Sequence, residues 1–470
     1  MLKTKLFLMG TLAAASSLVG SESTWTIDSQ VEWHNAVQNS EQIELRGGEA
    51  KSTGFASKVS SVVKRYEESK QASSITFTQS DDWNNWREIE KVGVPGMEDA
   101  PVFVPVKDGE YYLLARYRPA SLGKKNRVNG VDVSETRPKS EQGYHAWLSS
   151  DMKSWEHLGP VSGYRERWVT TAEYVDGDFY IYYDNPNDED PHLIIDSDIR
   201  DGKMGYDYGM VFADPSHGSD SAIIRDDKDG KFHLIYENWD PLNARTHAWD
   251  SPLAGHAVSP DGIHDFRILP PAVDHRTNPT GEIGEYVHGT TKDTYQYEIH
   301  TPEQNAYGDW TAIKIGEKYY LFCDFDPVGE KIRVGRFVSD SLDREFEFVG
   351  ELGEGHPDPT IGFAEGQFYL IRQRAETDFI SSGPWVPGVE ARVGVDTSND
   401  GKVDKWTKWQ SVAETYSRNP DYVRVVETAP ARLDLSGLPA GYGFAFEYRT
   451  TKGKDQSALV KMERVELVLE

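Results

Sequence analysis

Four side chains able to do acid–base or anion chemistry stand at one offset from a repeated hairpin. Asp108-Gly109-Glu110-Tyr111-Tyr112-Leu113, Asp176-Gly177-Asp178-Phe179-Tyr180-Ile181 and Glu365-Gly366-Gln367-Phe368-Tyr369-Leu370 are three copies. Asp229-Gly230, leading into Phe232-His233-Leu234-Ile235-Tyr236, is another, and Ile315–Leu321 is a fifth with one extra residue. Twelve residues before the first aromatic of the hairpin stand Asp99, Arg167, Asp220 and His356. The fourth copy places Tyr307 there, with Asp309 two residues further on the same strand face. Two carboxylates, a guanidinium and an imidazole in one layer are costly in a structural core. They read as an active site.

Positioning them requires a repeated scaffold. An acidic residue and Gly between β-branched or aromatic runs signals a tight hairpin, because Gly takes φ > 0 where the turn needs it. Five such hairpins predict an all-β fold, a five-bladed β-propeller with one supersecondary unit per blade. The first strand of each blade lines the central channel, so the four residues should form a ring at its mouth. The blades are expected at about Asp99–Leu158, Arg165–Asp196, His217–Leu269, Trp310–Leu352 and His356–Val412. Pro270–Gly308 is a polar insertion carrying Glu282, Glu285, Tyr286, His288, Tyr295, Tyr297, Glu298, His300 and Glu303. A loop this long is usually functional or disordered, and its Tyr and His content argues for function.

The remaining chain divides as residues 1–20, 21–95, 96–413 and 414–470: signal peptide, N-terminal segment, propeller, C-terminal β-extension. Met1–Gly20 carries Lys3 and Lys5 before the apolar run Leu6–Val19, the pattern of a secretory signal, too short to span a membrane. A secreted or periplasmic location follows. Phe55, Val59, Val62, Val63 and Tyr66, flanked by Lys58, Lys64, Arg65, Glu67 and Glu68, predict an amphipathic helix that docks on the propeller or a second subunit. Cys323, the single cysteine, excludes an intramolecular disulfide and reads as a small buried hydrophobe. A net charge of −27, from 50 Lys+Arg against 77 Asp+Glu, disfavours nucleic acid and anionic lipid as partners. The 13 Trp and 24 Tyr suit stacking on sugar rings as well as a propeller core. Asp396-Thr397-Ser398-Asn399-Asp400-Gly401-Lys402-Val403-Asp404 has the oxygen spacing of a calcium loop. Thr407 stands where a bidentate Glu is expected, so a polar hairpin turn is the preferred reading.

Glycoside hydrolysis needs a general acid on the leaving oxygen and a carboxylate across the sugar ring. Asp99 and Asp220, on blades one and three, face each other across a channel. If a water must fit between the catalytic groups, their separation is about 6.5–9.5 Å and the reaction inverts. In these residues the sequence resembles the five-bladed propeller glycoside hydrolases, family 43 and especially family 117. The resemblance covers roughly Gly96–Val412. Glu98-Asp99-Ala100-Pro101 is similar to the blade-one motif, which implies Asp99 as general base. Ser219-Asp220-Ser221-Ala222 with Asp226-Asp227-Lys228-Asp229-Gly230-Lys231 is similar to the blade-three motif, whose Asp tunes the acid and orients the sugar. Blade four departs: family 43 has Glu-x-Pro, and this chain has Gly308-Asp309-Trp310-Thr311. Family 117 uses a Glu there with a His implicated as acid, so the resemblance leaves His300, Glu303 and Asp309 as candidates. It also implies an exo-acting enzyme on α-linked 3,6-anhydro-L-galactose, and a homodimer through the N-terminal segment. Ser60-Ser61-Val62-Val63-Lys64-Arg65 matches that family's Ser-x-Ala-x-x-Arg with Val for Ala.

The expected catalytic set is therefore Asp99, Asp220, His300, Glu303 and Asp309. Arg167, Trp168, Trp239, Tyr307, Trp310 and His356 are expected around an algal galactan oligosaccharide. Arg167 either pairs with a ring carboxylate or binds an anionic sugar group, and His356 is favoured as structural. No cofactor is required, although a structural divalent cation could sit near His356 or Asp396–Asp404. Asp188, Asp190 and His192 read as a solvated loop rather than a metal site. Other classes compete. A propeller polysaccharide lyase would recruit Arg167, His145 and Tyr183, a family 43-like arabinofuranosidase or xylosidase would share the scaffold, and a non-catalytic glycan binder would need no opposed carboxylates.

Overall fold

The computed structural model describes residues 19–20, 23–54, 56–79, 87–88, 94, 96–97, 100–117, 127–128, 131–132, 142–163, 167–186, 189–214, 218–238, 253–274, 289–291, 294–296, 306–326, 332–352, 358–372, 378–382, 389–412, 414–450 and 461–470. The chain forms two compact units. One comprises residues 86–383 and 416–428; the other comprises residues 1–85, 384–415 and 429–470.

In the first unit each repeated hairpin joins the first two strands of an antiparallel sheet. Sheet one runs Val102–Lys107, Glu110–Arg116, Tyr144–Ser149, Glu156–Pro160. Sheet two runs Trp168–Val175, Asp178–Asp184, His192–Asp196, Tyr206–Met210. Sheet three runs Gly218–Arg225, Phe232–Asn238, Leu253–Ser259, Arg267–Asp274. Sheet four runs Ala306–Ile315, Lys318–Asp326, Arg333–Ser339, Glu347–Leu352. Sheet five runs Thr360–Ala364, Gln367–Arg372, Asp378–Ser382, and takes its fourth strand, Arg87–Glu88, from before sheet one. The inner strands are buried on both faces, which is why Ala222-Ile223-Ile224 and Val102-Phe103-Val104 read as unbroken apolar runs.

The five first strands neighbour one another in chain order, and the fifth packs back on the first. Each is laddered to its own hairpin on one edge; on the other, Lys314 and Ile315 of sheet four pair in parallel with Val425 and Val426, and elsewhere the N–H groups need other acceptors. Threonines supply them. Thr171 Oγ1 accepts from Ile223 N–H at 3.1 Å, Thr311 Oγ1 from Ile361 N–H at 3.5 Å, and Thr360 Oγ1 from Phe103 N–H at 3.0 Å. These three threonines hold one register, opposite Tyr182, Phe322 and Ile371. The Thr360 bond joins sheet five to sheet one. Residues 416–428 cross the ring at its hairpin end. Arg418 donates to the carbonyls of Pro105 and Val106, while Arg424 donates to those of Ala172 and Ala312. Arg424 lies 3.9 Å from Glu173, and both are buried.

The second unit is two sheets over one core. Val59, Tyr66, Val393, Phe444 and Phe446 meet Trp25, Ile27, Ile75, Phe77 and Leu467 there. Its strands come from both ends of the chain: Thr24–Ile27 pairs with Lys461–Leu469, and Lys58–Ser61 with Gly441–Thr450. This corrects two expectations. The amphipathic helix is absent from residues 58–70, which form the strands Lys58–Ser61 and Lys64–Lys70. Val62 and Val63 are β-branched and stiff, Val59 and Ser61 alternate inward, and pairing with Gly441–Thr450 overrides the helical spacing. Among the described residues an α-helix forms instead at Gln30–Ala36, with a capping box from Ser29 and Glu32. Second, Val389–Asp396 was expected in blade five, but it pairs with Gly441–Thr450 in this unit. The calcium-like loop is a hairpin turn here. Asp396 accepts Gly401 N–H at 2.8 Å, and Asp404 accepts Thr397 and Ser398 N–H at 2.8 and 2.9 Å. Phe55 and residues 1–18 of the expected signal lie outside the described residues.

Two outcomes are expected. Thr360→Val leaves the buried N–H of Phe103 without its acceptor, so urea unfolding of the ring should lose about 1–3 kcal/mol. Burial pushes the Glu173 carboxyl up to about 7, against the pull of the Arg424 guanidinium and the N–H groups of Tyr174 and Arg225. The folded chain then keeps a proton that the unfolded chain loses near 4.5. The contribution of Glu173 to stability therefore falls as pH rises through that interval, and Glu173→Gln should flatten the slope of melting temperature between pH 5 and 8.

Candidate active site

At the end of the ring opposite the hairpins, the first strands begin in an unusual backbone state. Asp220 has φ 42°, Asp309 49° and Asp358 28°, all left-handed, and Ala100 has φ 36°. Asp220 sits in a bulge between Ser219 and Ala222, and Asp309 in the matching bulge between Gly308 and Thr311. Asp358 stands two residues before Thr360, which occupies the register of Ala222 and Thr311. Aspartate tolerates this conformation better than most residues, yet it costs free energy. Strain repeated at one layer in three consecutive sheets is concentrated where function usually is.

Behind these aspartates lies a second layer from the ends of the second strands. Asp184, Glu237 and Asp324 stand opposite Trp168, Ser219 and Gly308, the same register in sheets two, three and four. Asp184 Oδ2 accepts the N–H of Asp220 at 3.0 Å, and Glu237 Oε1 that of Asp309 at 3.0 Å. The carboxylate oxygens of Asp309, Asp324 and Asp358 lie within 4.8 Å of one another. Carboxylates at that spacing disfavour one another's ionisation. In sheet one Arg116 faces the same neighbour position, its guanidinium 3.8 Å from the ring centroid of Trp168.

The common offset of twelve does not hold. The third hairpin pairs Arg225 with Phe232 around the loop Asp226–Lys231, whereas Ile315 pairs with Lys318 and Ala364 with Gln367 around two residues. The longer turn shifts the count, so the residues that match Asp220 are Asp309 and Asp358. Tyr307 does not hold that register. Tyr307 and Trp310 are corrected from sugar contacts to core. Each is 2% exposed, and Tyr307 stacks on Phe325 at 5.3 Å and meets Phe337 edge-on. Arg167 is likewise engaged away from the ring layer. It pairs with Asp207 at 2.6 Å on the outer strand of sheet two and lies over Tyr183, whose hydroxyl donates to the same carboxylate. Trp168 is half-buried beside Arg116. Asp99, Trp239, His300, Glu303 and His356 lie outside the described residues, as does Asp188. Asp184, Glu237, Asp324 and Asp358 escaped the sequence reading. For Asp184, Glu237 and Asp324 the signal was an acidic residue shortly after the hairpin's aromatic run, visible only once the strands are paired; Asp358 precedes its hairpin.

The lyase set does not converge among the described residues. Tyr183 and Arg167 share Asp207, while buried His145 stacks on Tyr117 at 4.2 Å and shares a hydrogen bond with His157. Asp226, Asp229 and His233 could also hold a cation by geometry, but lysines already serve them. Lys314 lies 3.7 Å from Asp226 and pairs with Asp227, and Lys231 pairs with Asp229 at 2.8 Å.

No family model and no curated protein matches the sequence. Among solved structures the chain is similar to an α-L-arabinofuranosidase of Clostridium thermocellum, at 12% identity over 71% of this chain and 95% of that one, TM-score 0.38. An endo-arabinase of Bacteroides thetaiotaomicron aligns at 11% identity over 63% and 98%, TM-score 0.40. An exo-β-1,3-galactanase of Phanerochaete chrysosporium aligns at 8% identity over 83% and 100%, TM-score 0.40.

The backbone state of the site is testable by itself. Asp309→Gly should be more stable than Asp309→Ala by about 1 kcal/mol, because only glycine takes the left-handed state freely. Equal midpoints in denaturant titration of the two variants would place Asp309 in an ordinary strand.

Proposed function

We propose that the chain is a glycoside hydrolase built on a five-bladed propeller, with Asp309 donating the proton to the leaving oxygen. The observation that supports this is the placement of Asp309. It occupies the same bulge as Asp220 in the adjacent sheet, and its carboxylate is grouped with those of Asp324 and Asp358. Carboxyls so close resist joint ionisation, and this is how a carboxylic acid keeps a proton at working pH. Asp220 stands beside it to orient the sugar. Asp99, preceding the left-handed Ala100, serves as the base that activates water. The finer features rest on the resemblance in the sequence motifs: exo action, inversion, an α-linked 3,6-anhydrogalactose unit of an algal galactan oligosaccharide, and secretion. An arabinofuranosidase or xylosidase specificity uses the same three aspartates and is separated from this one by comparing turnover of arabinofuranosides, xylosides and algal galactan oligosaccharides.

Activated leaving groups need little protonation, so they separate acid from base. Asp309→Asn should spare cleavage of an aryl glycoside far more than cleavage of a natural oligosaccharide. Asp99→Asn should lower both by roughly 10²–10⁴-fold. Chelation should leave turnover unchanged, since the carboxylate group is assigned a proton rather than a cation. A wild-type rate for Asp309→Asn on the oligosaccharide would remove it as the acid and return the role to His300 or Glu303.

A further inference from the structure

We infer that Asp184 and Glu237 are positioning residues, each a buried carboxylate that sets the orientation and proton affinity of an aspartate in the next sheet. The inference rests on the hydrolase reading for what those aspartates do, but its basis is geometric. A left-handed residue in a bulge turns its N–H out of the ladder, and that group needs an acceptor. For Asp220 the acceptor is Asp184, and for Asp309 it is Glu237, both at 3.0 Å. Asp324, next in the series, lies against Asp309 and Asp358.

A charge is not required for hydrogen bonding alone. Further along the same first strands the fold meets the same need with Thr171, Thr311 and Thr360. At the mouth it uses carboxylates that are 0% exposed in both Asp184 and Glu237, although burying a charge costs more than burying a hydroxyl. What the carboxylate adds is a stronger, charge-assisted bond that pins the backbone, and a fixed negative charge behind the acid. That charge favours the protonated form of Asp309. The sheet preceding each aspartate thus controls it.

Glu237→Gln keeps the acceptor and removes the charge, whereas Glu237→Ala removes both. With selective ¹⁵N-aspartate labelling, the Asp309 amide proton should resonate downfield in the wild type, stay downfield in Glu237→Gln and move upfield in Glu237→Ala. In turnover, Glu237→Ala should lose about 10²-fold in kcat through misplacement of the acid. Glu237→Gln should retain kcat at its optimum, but its alkaline limb should move to lower pH, because the acid loses its proton more readily. An Asp309 amide unmoved in the Ala variant, or a pH profile unmoved in the Gln variant, overturns the inference. Should Glu237→Ala not fold, the isosteric Gln variant still decides through the pH limb. Asp309→Asn, assayed in parallel, separates the two readings. If it cleaves oligosaccharide at the wild-type rate, Asp309 is not the acid, and the amide measurement alone then judges the positioning.

Discussion

Everything in the ring depends on how a strand with only one laddered edge satisfies the other. Each first strand hydrogen-bonds to its own hairpin along one edge and, where no further strand pairs with it, turns N–H groups of the other edge toward the preceding sheet. Those groups are buried, so water cannot serve them. The fold answers with side chains of the preceding sheet. Thr171, Thr311 and Thr360 act in mid-strand and carboxylates act at the mouth. The contact that closes the circle, Thr360 to Phe103, has the same form as the others. Neighbouring sheets are therefore coupled through specific polar contacts as well as apolar packing.

That coupling explains why the strained residues are aspartates. A bulge at the head of a first strand re-aims one side chain toward the channel mouth and frees one N–H. Glycine would meet the backbone demand at less cost, as it does in the hairpin turns at Gly109, Gly230 and Gly366. Aspartate tolerates the conformation and brings a carboxylate. The same residue type in the same bulge at Asp220 and Asp309 is what two carboxylates at one depth of a channel require.

The hairpins were legible in the sequence because an acidic residue and glycine between aromatic runs leave a strong local mark. The strands of sheets one to four lie close to where those hairpins placed them. Register was less legible. A count from the aromatic assumes equal turns, and Asp226–Lys231 breaks that assumption, so Tyr307 stood in for Asp309 and His356 for Asp358. Tyr307 and Trp310 illustrate a second ambiguity: an aromatic near a carboxylate can face the sugar or the sheet behind, and here the partners Phe325 and Phe337 decide. Residues 58–70 show a third. Their apolar spacing fits a helix, and only the distant strand Gly441–Thr450 makes them a sheet. Such long-range pairing has no local signature.

The interleaving of the second unit has a consequence for biosynthesis. Thr24–Ile27 and Ala72–Gln79 find their partner strand in Lys461–Leu469, almost the whole chain later. The ring lies between them in sequence, and its strands pair mostly with near neighbours. During synthesis the ring can close on its own segments while the early strands wait with open edges. Waiting edges are where wrong partners attach. The unit whose strands begin to emerge before the ring is thus completed after it, when Lys461–Leu469 arrives.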